Sequence, residues 1–174
     1  MPIFEPLSDL DFHLFNEGTH CHIYRKFGAH SVVISGAEAT HFCVWAPNAR
    51  SVHVVGDFNG WAPSDPLQCA GDSGLWQGTV RNATIGQRYK YRIDGVNGPV
   101  DKMDPVGFAH ELPPQTASVI ADLHHAWTDQ EWLQSRRQKS SRQAPISTYE
   151  VHLGSWRRVP EENNRQLTYR EVAP

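Results

Sequence analysis

The run QRYKYRI, residues 87–93, alternates its chemistry without a break. Successive side chains of a strand point to opposite faces. Tyr89, Tyr91 and Ile93 therefore share one side, and Arg88, Lys90 and Arg92 the other. The pattern predicts a strand with one face in a core and the other wet and basic.

Further strands are predicted on either side of it. HFCVWAP, SVHVV, LWQGTV and TASVIAD are rich in residues that suit a pleated surface, and the turns NAR, GDFNG, AGDSG and DGVNG fall between them. Short strands at this spacing predict a mainly β fold, an immunoglobulin-like sandwich with short helices, over about residues 31–122. That is close to the ~100 residues typical of such a sandwich. Trp45 and Trp76 lie in alternating strands and are assigned to core or inter-domain packing.

Residues 1–30 read as an irregular arm and a short helix, with Thr19 as its N-cap and Gly28 as its closing glycine. At residues 123–146, Thr128-Asp-Gln-Glu131 predicts a capping box and a helix. QSRRQKSSRQ follows as an exposed linker carrying Arg136, Arg137, Lys139 and Arg142. Residues 147–174 open with the β-type run STYEVHL, and Thr168 to Glu171 form a second capping box. A strand followed by a helix start is the opening of a βα unit, which cannot bury its own faces. The expectation is a chain cut off within a second domain, its first barrel strand at residues 147–153.

The 174 residues are 39% hydrophobic and 20% charged, with a net charge of −3. This is a globular composition that gives no reason to expect nucleic acid as a partner. No apolar run reaches the roughly 20 residues of a membrane span, so no membrane partner is expected. Cys21, Cys43 and Cys69 lack metal-ligand spacing and read as reduced thiols of a cytoplasmic protein. In THCH, residues 19–22, His20 and His22 would lie about 200° apart on a helix, and no further ligand is spaced to help. No metal or cofactor is expected. His124 and His125 read as a solvated loop.

In order along the chain, GTHCHIYRKFGAH, FCVWAPNARSVHVVGDFNGW, YKYRIDG, DKMDPVGFAHELPPQTASV and YEVHLGSWRR resemble the N-terminal part of the glycogen (1,4-α-glucan) branching enzymes. The resemblance runs from about residue 14 to residue 173. It implies that residues 31–122 are a family 48 carbohydrate-binding module, and that residues 147–174 begin a (β/α)₈ catalytic barrel. The family reaction cleaves an α-1,4 glucan and transfers the piece to a 6-hydroxyl. Such a barrel takes about 250 residues, and the retaining mechanism needs two carboxyl groups about 5–5.5 Å apart. The resemblance places both beyond this chain. Asp101, Asp104 and Glu150 are therefore assigned to turn, loop or strand edge, and no catalytic residue is predicted. The expected partners are α-1,4-glucan chains and the missing barrel of the same polypeptide. The alternatives are a stand-alone glucan-binding module and a debranching or trehalose-releasing relative.

Trp61 follows the polar turn GDFNG. Rigid aromatic rings stack on the C–H faces of sugars, whereas most tryptophans are largely buried. Both readings, sugar platform and packing, stand at this point. The resemblance makes Trp61 a glucan-stacking residue and Lys90 a second contact. It places Asn97 where some relatives carry a second tryptophan, and an amide cannot stack. A fourth contact falls near Ser118. Trp127, Trp132 and Trp156 are expected to fasten the helix and sandwich to the barrel.

Overall fold

The computed structural model describes residues 6–140 and 143–173. They form two compact units, Met1–His125 and Ala126–Pro174.

The first unit is a β-sandwich. Strands β1 (Gly28–Ile34), β2 (Ala37–Trp45), β3 (Ser51–Gly56), β4 (Asp65–Pro66) and β5 (Gln68–Cys69) are followed by β6 (Leu75–Val80), β7 (Arg88–Gly95), β8 (Gly98–Lys102), β9 (Ala109–His110) and β10 (Ser118–Val119). One sheet has the order β1-β2-β6-β5. The other runs β4-β3-β7-β10-β9, with β8 also on β7. All pairings are antiparallel.

The core lies between the sheets. Phe42 of β2, Val52 and Val54 of β3, and Tyr89 and Tyr91 of β7 are all fully buried. The Phe42 ring meets Tyr89 edge-on at 5.1 Å, a favoured aromatic geometry. The alternation of residues 87–93 is therefore realised with its tyrosines inward.

The continuous apolar run in β2 has a separate cause. Phe42, Cys43 and Val44 are consecutive and all buried, because this sheet is covered on both faces. Cys43 faces a second cluster with Phe27 and Leu75, packed against Phe12 and Phe15. Those two phenylalanines belong to helix α1 (Asp9–Glu17). Trp45, next on that outer face, meets Phe15 edge-on but stays 52% exposed. It is not a core residue, whereas Trp76 packs against the core and donates its indole N–H to the Ala46 carbonyl.

α1 corrects the predicted helix register. Its N-cap is Ser8, in a capping box with Asp11, and its end is Gly18 in the left-handed region. Thr19 lies past the end, where its N–H donates to the Leu14 carbonyl. Gly28 opens β1 instead, at φ 95°, close against the Val106 carbonyl. A single 3₁₀ turn, Ile23–Arg25, lies between them. The sandwich thus starts at Gly28, with a strand the sequence reading did not include.

The second unit contains α2 (Gln130–Lys139), α3 (Leu153–Trp156), the small hairpin β11 (Arg158–Val159) with β12 (Arg165–Gln166), and α4 (Tyr169–Val172). The Thr168–Glu171 capping box forms as read. The one predicted at Thr128 does not: α2 starts after Asp129, with no side-chain cap. The basic stretch through Lys139 is helical rather than linker, while Arg142 falls outside the described residues.

Residues 147–152 are unpaired, and Leu153 is helical, so the predicted strand at 147–153 is not formed. A strand exists only when a neighbouring strand takes its backbone groups, and among the described residues no strand pairs with 147–152. Within residues 126–173 none of the described side chains is buried. Trp127, Trp132 and Trp156 are more than half exposed. Among the described residues no helix is long and apolar enough to cross a membrane.

Candidate functional site

The turn GDFNGW, residues 56–61, has a separate physical task at each position. Gly56 runs extended beside β7, where a Cβ would collide with the Arg88 carbonyl and the Phe58 ring. Asp57–Asn59 make one 3₁₀ turn. Phe58 turns inward toward Phe42, their centroids 6.1 Å apart. The Asn59 side chain accepts the Gly56 N–H at 2.9 Å and donates to the Val54 carbonyl at 2.9 Å and to Asp65 at 2.7 Å, joining β3 to β4.

Gly60 and Trp61 then both take the left-handed conformation, at φ 61° and 63°. For a bulky residue this is a strained position, costing on the order of 1–3 kcal/mol. The Trp61 N–H donates to the Gly56 carbonyl at 2.9 Å, and its indole N–H to Asp57 Oδ1 at 3.2 Å. The ring belongs to neither apolar cluster and stays partly exposed.

Asp57 is held from β7. Arg88 donates its backbone N–H and its Nε to Asp57 Oδ2, at 2.9 and 3.0 Å, and its Nη2 to Oδ1 at 2.9 Å. These bonds, with the guanidinium charge, keep the Asp57 carboxyl below the usual carboxylate range. Arg88 Nη1 also reaches Glu111 Oε1 at 3.2 Å. Glu111 Oε2 accepts the Ala117 N–H at 3.0 Å and so closes the loop of residues 111–117. Two residues along β7, Lys90 Nζ donates to Thr116 Oγ1 in that loop at 2.7 Å. Val55 pairs with Lys90 across the ladder and faces outward, yet it is fully buried although it lies outside the core cluster.

Trp61 and Lys90 are therefore brought to one end of the outer face of the β3–β7 sheet. Asn97 is not with them. It is exposed in the turn between β7 and β8, beyond Gly95, and Gly95 itself lies about 17 Å along the strand from Lys90. Ser118 is fully buried, its hydroxyl accepting the Asp104 N–H at 2.9 Å, which removes it from any outer surface.

Asp57, Arg88, Glu111 and Thr116 were not singled out as site residues from the sequence. The only signal was the basic side of QRYKYRI, which says nothing of partners 31 and 23 residues away.

Other ionisable groups have structural partners. Asp104 is 1% exposed and accepts the hydroxyls of Tyr89 at 2.7 Å and Tyr91 at 3.0 Å. It lies in the loop between β8 and β9, as expected, and its buried side chain anchors the core from there. Burial pushes its carboxyl up, and both tyrosines are displaced upward as well. Asp101 pairs with Arg92 at 2.7 Å, and the bond keeps it low. His20 binds Asp11 at 2.8 Å, and Ser8 and Lys26 hold the same carboxylate. Among the described residues no cluster of three or more His, Cys, Asp or Glu could hold a metal ion. A concavity of about 530 Å³ lies on another side of the turn, lined by Phe58, Asn59, Asp65, Arg81 and Asn82 among others.

Residues 26–107 match the family model for carbohydrate-binding module 48, the isoamylase N-terminal domain. Sandwich and match together make this segment a module of that class. The chain is 47% identical over 175 residues to the 1,4-alpha-glucan branching enzyme GlgB of Aquifex aeolicus, covering 99% of this chain and 28% of that protein. It is 51% identical over 170 residues to the enzyme of the same name from Albidiferax ferrireducens, covering 95% and 26%. Over nearly its whole length the chain is homologous to the N-terminal region of 1,4-alpha-glucan branching enzymes. It spans roughly a quarter of the length of these curated relatives. A solved alpha amylase structure from Salmonella typhimurium shares the fold, with a TM-score of 0.51 at 20% identity over 75% of this chain and 20% of that one.

Proposed function

We propose that this chain is the glucan-binding and barrel-docking N-terminal portion of a cytoplasmic 1,4-α-glucan branching enzyme. The whole protein would cleave an α-1,4 glucan and transfer the piece to a 6-hydroxyl. Within the chain, Trp61 and Lys90 would form the surface that holds an α-1,4-glucan. The observation that carries this reading is Trp61 itself. A strained left-handed conformation, a ring outside both apolar clusters and an indole N–H bonded to Asp57 support a ligand role for Trp61 over packing. Its ring offers a flat apolar surface for the C–H face of a glucose unit, and Lys90 and Thr116 offer polar groups for hydroxyls beside it.

Asn97 joins the same site only for a glucan lying along β7, and it is tested separately. Calorimetric titration with maltoheptaose should give at least a roughly tenfold loss in Trp61→Ala. Lys90→Ala should give a smaller loss, and Asn97→Ala the smallest. Equal affinity in the native chain and Trp61→Ala would reject the platform.

A further inference from the structure

Resting on that reading, we propose that Arg88 is the positioning residue of the glucan surface, fixing the Trp61 ring and the Lys90–Thr116 pair relative to one another. Two chain segments distant from β7 converge on its guanidinium. Through Asp57 it reaches the indole N–H of Trp61. Through Glu111 it reaches the loop that carries Thr116, the acceptor of Lys90. Its own backbone N–H is bound to the same Asp57 carboxylate, so the pairing is tied to the strand as well as to the side chain.

The arrangement contributes little to stability. The Arg88 side chain is 49% exposed and Asp57 29%, and exposed ion pairs contribute little because solvent screens them and the side chains lose freedom. What the planar fork supplies is direction. Two parallel N–H bonds to one carboxylate define an orientation that a single ammonium does not. An aromatic platform already oriented does not lose that freedom again when a ligand arrives.

Arg88→Lys keeps the charge and removes the fork. In the 174-residue chain it should weaken maltoheptaose binding about 5-fold while the melting temperature moves by no more than about 2 °C. The ¹⁵N–¹H indole signal of Trp61, identified by its loss in Trp61→Ala, should shift and broaden in Arg88→Lys, a change that a purely structural surface pair would not cause. In the Trp61→Ala background the same substitution should cost less than about 2-fold, because the ring it orients is gone. Glu111→Gln, which leaves the Asp57 fork in place, serves as a second variant and should weaken binding by about 2-fold.

Arg88→Lys binding as tightly as the native chain while Trp61→Ala is weakened would overturn the positioning role and leave the platform intact. An equal loss from Arg88→Lys in both backgrounds would overturn it too, by showing that Arg88 acts independently of Trp61. Undiminished binding by Trp61→Ala would remove the platform itself.

Discussion

Trp61 has two roles open to it, sugar platform and packing, and its backbone separates them. A tryptophan that packs a core loses about 3–5 kcal/mol when truncated. At φ 63°, glycine instead relieves the strain of the left-handed conformation. Trp61→Gly should therefore leave the unfolding free energy within about 1 kcal/mol of the native chain, the relief offsetting the lost indole contact. Urea denaturation measures this directly, and a loss of core size would return Trp61 to packing. The neighbouring positions show how much of this was legible. Gly-Asp-Phe-Asn-Gly announced a turn, but which residue faced the core could not be read locally. Phe58 and Trp61 are both aromatic residues of one turn, and only the fold sends the first inward and leaves the second out.

At the scale of the elements, strands with a one-sided pattern were read well. The β7 alternation fixed its buried tyrosines because burial on one face imposes a period of two. Three features escaped for identifiable reasons. The α1 register was set by Asp11 serving as the capping-box acid, where the expected signal is Glu or Gln. The two-sided burial of β2 depends on α1, which no local pattern in β2 reveals. Residues 147–152 carry strand-forming side chains, but propensity does not supply a pairing partner.

β2 also carries a pH dependence. His41 is lowered to about 4 by burial and by nearby His30. The native state then binds fewer protons than the unfolded chain between its ordinary value, 6.5, and about 4. Stability is accordingly lost as pH falls through that window and recovered as pH rises. His41→Gln should flatten the decline between pH 6.5 and 4 in thermal melts. Identical pH slopes in the two proteins would show that His41 does not titrate as its surroundings imply.

At the scale of the whole molecule, the two units differ in kind. Met1–His125 has a closed apolar core and carries the entire candidate surface, whereas the described residues of 126–173 contain no buried side chain. The sequence could locate the sandwich because its strands bury one another. It could not locate the surface network, because Asp57, Arg88 and Glu111 meet only after three distant segments have been assembled. The α-1,4-glucan is proposed to lie on the end of the β3–β7 sheet that carries Trp61 and Lys90. Chemical-shift mapping of the ¹⁵N-labelled chain during titration with maltoheptaose tests it most directly. The largest changes should cluster at residues 57–61, 88–92 and 111–117, led by the Trp61 indole. Changes centred instead on Arg81 and Asn82, or a spectrum unmoved by the glucan, would contradict it.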